Sequence, residues 1–336
     1  MSENNSNTGQ PTNSPPEQQS MTLEEALSVA ARLHGEGRLA EAERIYRQIL
    51  GADPKQPIAL HRLGVLAFQA GQGEHAINLI SMAIDNAPDY FGAHNNLGNV
   101  LRELGQLNEA VTSYRRAIDA NPDYVEALNN LGTTLLALDQ KEAAADSCRK
   151  ALEIKPDFAD AQNNLGNVLM SQGKLDEATS CYRQAIASNP EFAEAYCNLG
   201  AMLSSSGNLD EAISCFRSAI AMRPELADPH NSLGTTLQKK GMLEEAAECY
   251  RKAISIDSDF AVAHSNLGKA LEQQGKLQEA ATCFRKALEL QPDFSEAAGS
   301  LGSVLLSLGE LEEGLAMENQ GFGVITFDLA KGVSIQ

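Results

Sequence analysis

The pair Leu-Gly occurs at Leu63-Gly64, Leu97-Gly98, Leu131-Gly132, Leu165-Gly166, Leu199-Gly200, Leu233-Gly234, Leu267-Gly268 and Leu301-Gly302, always 34 residues apart. A fixed period in this range marks a chain built by stacking one small unit on the next. Each unit then contacts its neighbours rather than one central core. A chain of 336 residues built this way need not divide into separate globular domains.

Other positions keep the same phase when the Leu is counted as position 7 and the Gly as position 8. Position 20 is alanine in every repeat from Ala42 to Ala280, and position 27 is alanine from Ala83 to Ala287. Position 24 carries a ring at Tyr46, Tyr114, Tyr182, Phe216, Tyr250 and Phe284. Small residues at 8, 20 and 27 let two helices approach closely, and the Leu and the ring fill the space between them. Position 32 is proline from Pro54 to Pro292, with Ser258 the exception. Proline lacks an N–H and ends the second helix. The acidic residue after it (Asp89, Asp123, Asp157, Glu191, Glu225, Asp259, Asp293) is expected at the start of the next helix, where it opposes the helix dipole. Glycine at position 15 supplies the turn between helices, with Asp139 its one substitute.

Carried by these positions, the chain resembles the tetratricopeptide repeat family from residue 23 to about 309. The resemblance implies an all-α fold, a right-handed α-solenoid of stacked antiparallel helix pairs. The repeats run 23–56, 57–90, 91–124, 125–158, 159–192, 193–226, 227–260 and 261–294, with a partial cap over 295–309. In the ninth period Gly314 replaces the alanine and Glu318 stands where a ring belongs, as suits an atypical solenoid end. Residues 1–22 read as a polar, disordered leader. Residues 310–336 read as a degenerate tail in which Gly321–Asp328 forms one short strand without a partner.

The formal net charge is -19, which argues against nucleic acid and anionic membrane surfaces as partners. No stretch approaches the ~20 apolar residues of a membrane span. The first twenty residues lack the basic start and apolar middle of a secretory signal, so a cytoplasmic location is expected.

The sequence offers no Gly-rich phosphate loop and no His-Glu-x-x-His pair, so no catalytic residue, cofactor or metal is expected. His94, His230 and His264 share position 4 and read as packing residues. Cys181, Cys215, Cys249 and Cys283 form a ladder at position 23. Neighbouring repeats lie about 8–10 Å apart. That is too far for a shared zinc or a disulfide, so the ladder reads as packing.

In a stack of helix pairs the first helices line the inner wall, so positions 2, 5, 6, 9, 12 and 13 are expected to face a groove. Asparagine recurs there: Asn95, Asn129, Asn163 and Asn231 at position 5; Asn96, Asn130, Asn164, Asn198 and Asn266 at position 6; Asn99 and Asn167 at position 9. Asparagine is a mediocre helix former, so its repetition calls for a role. A carboxamide both donates and accepts, matching an extended peptide backbone. These eleven residues are therefore candidate peptide-binding residues of an interaction scaffold. The competing role is bonding to the neighbouring repeat. The run Asn-Asn-Leu-Gly also resembles the repeat arm of protein O-linked N-acetylglucosamine transferases, which implies a substrate-recognition arm without a catalytic region in this chain. Acidic residues at position 2 (Glu126, Asp160, Glu194, Asp228, Glu296) favour a neutral or basic protein segment as partner. Self-association through the solenoid ends or the tail is a further possibility.

Overall fold

The computed structural model describes residues 21–322, 325–328 and 332–335. The chain divides into two compact units, Met1–Leu138 and Asp139–Gln336. In the first, the helices are α1 (Leu23–Gly35), α2 (Leu39–Ala52), α3 (Pro57–Gln69), α4 (Gly73–Asn86), α5 (Phe91–Glu103), α6 (Leu107–Ala120) and α7 (Val125–Ala137). The second holds α8 (Lys141–Ile154), α9 (Ala159–Ser171), α10 (Leu175–Ser188), α11 (Ala193–Ser205), α12 (Leu209–Met222) and α13 (Ala227–Lys239). It continues with α14 (Leu243–Ile256), α15 (Ala261–Gln273), α16 (Leu277–Leu290), α17 (Ser295–Leu308) and α18 (Leu311–Phe322). The fold is an all-α solenoid: odd-numbered first helices alternate with even-numbered second helices.

Only α1 starts with a side-chain capping box, in which Thr22 Oγ1 accepts from the Glu25 N–H and the Glu25 carboxylate accepts from the Thr22 N–H. Most later first helices begin after an aromatic N-cap residue, such as Tyr90, Tyr124, Phe158 or Phe260, with no side-chain cap. The connecting turn is satisfied from position 4 instead. His94 Nε2 bonds the Pro88 carbonyl at 2.7 Å, Gln162 Nε2 donates to Pro156 at 2.7 Å, and His264 Nε2 bonds Ser258 at 3.0 Å. These side chains tie α5, α9 and α15 to the turns before them. The acidic residues after the prolines lie in that turn, ahead of the N-cap, and not within the next helix as the sequence suggests.

The close approach at position 8 is physical. A Cβ added at Gly98 would lie 2.6 Å from the Tyr114 ring, and one at Gly166 would lie 2.5 Å from the Tyr182 ring. Asp139 takes φ 57°, the left-handed conformation that glycine supplies at the other position-15 turns.

Within each unit, successive first helices touch one another: α1 with α3, α3 with α5 and α5 with α7 in the first, and α11 with α13, α13 with α15 and α15 with α17 in the second. Successive second helices make no comparable contact among the described residues. First helices crowded together and second helices splayed apart curve each unit around its first-helix face.

The C-terminal region departs from expectation. The ninth period is a full helix pair, because α18 packs against α17. Gly321 and Phe322 end that helix rather than opening a strand. The strand does form at β1 (Ile325–Asp328), and it has a partner: β2 (Gly332–Ile335) pairs antiparallel with it, Ile325 opposite Ile335. The leader up to Ser20 lies outside the described residues.

The position-24 ring is the largest buried group of most repeats. Tyr114 donates its hydroxyl to Asn99 Oδ1 and Tyr182 to Asn167 Oδ1, each at 2.8 Å, and Tyr250 to Gln238 Oε1 at 2.9 Å. Where position 9 is Ala201 the ring is Phe216, with no hydroxyl. The exception is Tyr46, whose position 9 is Ala31 and whose buried hydroxyl has no partner. Tyr114→Phe should therefore destabilise by about 1–2 kcal/mol, whereas Tyr46→Phe should be neutral or slightly stabilising. Urea unfolding of both variants beside the wild type measures the difference.

Candidate peptide-binding face

The asparagines of the first helices divide into three roles. Asn95, Asn129 and Asn163 at position 5 are buried within the stack, not open to a groove, and Asn231 is half-buried. At position 9, Asn99 and Asn167 accept the tyrosine hydroxyl of their own repeat. At position 6, Asn96, Asn130, Asn164, Asn198 and Asn266 are half-buried at the first-helix face.

Position 6 also reaches back to the preceding repeat. Asn130 Nδ2 donates to Asn95 Oδ1 at 3.0 Å and to Asn99 Oδ1 at 3.2 Å. Asn198 Nδ2 repeats this with Asn163 at 2.9 Å and Asn167 at 3.2 Å. Asn266 donates to Asn231 at 3.0 Å, and Asn96 Nδ2 meets His61 Nε2 at 2.7 Å. A carboxamide nitrogen has two hydrogens, so Asn130 and Asn198 have both engaged. The orientation is fixed by Glu194, whose carboxylate accepts from Asn163 Nδ2 at 2.9 Å. An ionised carboxylate can only accept, so Asn163 turns its oxygen to Asn198, and Asn198 must donate. The stacking role is thus realised, and it leaves the carbonyl oxygen as what these two asparagines can still offer.

His61 occupies position 5 of the second repeat and is buried. Its Nδ1 faces the Tyr90 hydroxyl at 2.9 Å, and its Nε2 accepts from Asn96. Burial, with the Arg62 charge adding to it, pushes its pKa down to about 4, so it is neutral at pH 7.

On the second helices an ion-pair ladder links repeats: Arg183 with Glu211 at 2.9 Å, Arg217 with Glu245 at 3.5 Å and Arg285 with Glu313 at 3.0 Å. The position-23 cysteines are free thiols, and burial pushes those of Cys215, Cys249 and Cys283 up to about 11. They are packing groups with little thiolate at neutral pH. Among the described residues no group of His, Cys, Asp or Glu is arranged to hold a metal. No helix among them is long and apolar enough to cross a membrane.

One feature escaped the sequence reading: an open cavity of about 520 Å³ between α11 and α13, bordered by Glu194, Asn198 and Asp228. Its signal is a simultaneous loss of bulk at Cys197, Ala201, Leu226 and Ser232, visible only when the repeats are compared position by position.

This arrangement defines a class, the stacked two-helix repeat with a junction of polar side chains on its inner helices. Residues 91–302 match the cilia and flagella-associated protein 70 C-terminal domain, and residues 33–97 match a tetratricopeptide repeat. The first match spans well over half of the chain, and the chain belongs to this family of tetratricopeptide-repeat domains. Among solved structures, MamA is similar at 28% identity over 48% of this chain and 95% of its own, with a TM-score of 0.43. YrrB, described as a TPR protein with an unusual peptide-binding site, is 27% identical over 55% of this chain and 95% of its own, with a TM-score of 0.43. The anaphase-promoting-complex hetero-tetramer Cut9–Hcn1 is 16% identical over 84% of this chain and 56% of its own, with a TM-score of 0.62, and shares the fold. No curated protein matches the chain significantly.

Two outcomes follow from the junction chemistry. Asn198→Ala strands the oxygen of Asn163, leaves that of Asn167 with the Tyr182 hydroxyl alone, and should cost about 1–3 kcal/mol. Asn198→Asp sets a carboxylate against the same oxygens and should cost more at pH 7, with partial recovery in acid; thermal unfolding of both variants at pH 7 and pH 4 compares them. His61 carries a pH signature. Its folded pKa lies below the unfolded value of about 6.5, so the unfolded chain binds the proton first. Stability should be intact above pH 6.5 and fall as the pH drops towards 4, by at most roughly 3 kcal/mol. His61→Asn should flatten that slope in unfolding curves taken across the range.

Proposed function

We propose that the chain is an interaction module whose first-helix face holds an extended polypeptide segment of neutral or basic character. Tetratricopeptide arrays generally bind other proteins or peptides, and each unit offers a curved first-helix surface for it. The finer reading is supported by a one-sided chemistry on that face. Glu126 in the first unit, and Asp160, Glu194, Asp228 and Glu296 in the second, are exposed at position 2. Asn130 and Asn198, their amide hydrogens engaged within the stack, add acceptors. In the second unit the first-helix cations are engaged: Lys269 Nζ pairs with Glu296 at 2.6 Å, and Lys239 Nζ lies 3.4 Å from the Ser204 carbonyl. In the first unit Arg102 pairs with Glu103 at 3.4 Å, and Arg62 adds a cation to α3.

A face rich in acceptors matches a partner that supplies donors. An extended backbone presents N–H groups along its edge, and lysine or arginine side chains add charged ones. An acidic segment would meet like charge along the same path. This excess of acceptors over free donors on the first helices of the second unit is the observation that carries the reading.

Fluorescence anisotropy with three labelled twelve-residue peptides tests it: one of Gly, Ser and Ala, one with interspersed Lys and one with interspersed Glu. Affinity should rank basic above neutral above acidic at physiological salt. Asp160→Asn/Glu194→Gln/Asp228→Asn should cut the preference for basic over neutral about tenfold. Neutralising Asp176 and Glu177 on the second helix α10 should leave it unchanged. Tightest binding by the Glu peptide, or a preference indifferent to the triple substitution, would sink the proposal.

A further inference from the structure

At the junction between the sixth and seventh repeats, four positions lose bulk together. Position 5 is Cys197, where His61, Asn95, Asn129, Asn163 and Asn231 stand in other repeats. Position 9 is Ala201, the counterpart of Asn99 and Asn167. Position 6 is Ser232, the counterpart of Asn130, Asn198 and Asn266. Position 34 is Leu226, where six other repeats carry Tyr or Phe. The amide bonds that close the junctions at Asn130 and Asn198 therefore have no counterpart here, and the cavity of about 520 Å³ opens in their place. It lies entirely within the second unit.

The walls of this cavity are chemically asymmetric. Phe192, Ala201, Phe216 and Leu226 form an apolar lining. Glu191, Glu194 and Asp228 border it with three carboxylates against a single guanidinium, that of Arg223. Asn198 also borders it, and both of its amide hydrogens are already engaged by Asn163 and Asn167. Its carbonyl oxygen is thus an acceptor with nothing left to donate. An occupant must combine an apolar stem with a cationic, multiply donating head. Lysine's compact ammonium is strongly hydrated and has three donors; arginine's planar guanidinium has five, is more weakly hydrated and stacks on aromatic rings such as Phe192.

We infer that this cavity receives an arginine side chain of the segment held on the first-helix face, so that the junction between repeats six and seven sets where that segment docks. The inference rests on the groove reading and adds to it a position and a residue type. The trimethylene stem lies against the Phe192 and Leu226 side, and the guanidinium donates to Glu194, Asp228 and the Asn198 oxygen.

The test uses the full chain and twelve-residue Gly/Ser peptides with one central residue: arginine, lysine, citrulline or glutamate. Citrulline keeps the shape of arginine and removes the charge. Binding is read by anisotropy and by backbone amide shifts in the NMR spectrum. The arginine peptide should bind about tenfold more tightly than the citrulline peptide and shift amides of residues 192–201 and 226–232. Glu194→Gln/Asp228→Asn should remove that difference. Cys197→Asn/Ala201→Asn/Ser232→Asn rebuilds the amide junction and fills the space; it should keep or raise the unfolding temperature while abolishing the arginine preference. Equal binding of the arginine and citrulline peptides, with shifts on the first helices, overturns the cavity assignment and leaves the groove reading standing. Absence of shifts from every peptide overturns both.

Discussion

Five of the repeats are held by a ring pressed against a residue that has no side chain. Tyr114 over Gly98 and Tyr182 over Gly166 leave no room for even one methyl group. That contact sets the distance between first and second helix, and it carries the ring hydroxyl to position 9. Asn99 and Asn167 receive it there, and the same oxygens accept the amide of the next repeat. Packing within a repeat and registry between repeats are thus parts of one hydrogen-bonded chain. Buried polar atoms that satisfy one another specify a single arrangement more sharply than apolar contact does.

The interior also decides what the surface can do. An asparagine spends its donors where the stack needs them and turns outward only what remains. A face that reads in sequence as a row of two-way amides is therefore, at Asn130 and Asn198, a row of acceptors. The position-2 carboxylates strengthen the same bias. The Arg–Glu pairs that tie successive second helices, such as Arg183 with Glu211, leave the inner face its negative character, where, among the described residues, Glu296 alone of the position-2 carboxylates meets a lysine, Lys269.

The helices and their order were legible because Gly, Ala, Leu and Pro each have one steric reason to occur where they do, and those reasons repeat every 34 residues. The asparagines were legible as a row but not as partners. Whether Asn95 faces solvent or the next repeat depends on the rotation of its helix by a fraction of a turn, which spacing alone leaves open. The position-4 histidines look in sequence like packing groups, because their bond to the turn carbonyl depends on where proline directs the chain. The second helix of the ninth repeat was hidden because Gly314 and Glu318 break the pattern, while α17 still offers it a surface. The β-hairpin partner, Gly332–Ile335, carries too few residues to announce itself.

The junctions are not equivalent, and that bears on how such an array can lengthen or shorten. Removing the sixth repeat alone would bring Ser232 opposite Asn163 and Asn167, and the Asn163 oxygen would lose its amide donor. Removing the sixth and seventh together would bring Asn266 there, which carries the right group. Excision is therefore tolerated unevenly along the array: losing the fourth repeat alone would bring Asn164 opposite Asn95 and Asn99 and keep the junction closed, whereas the sixth repeat can be lost cleanly only together with the seventh.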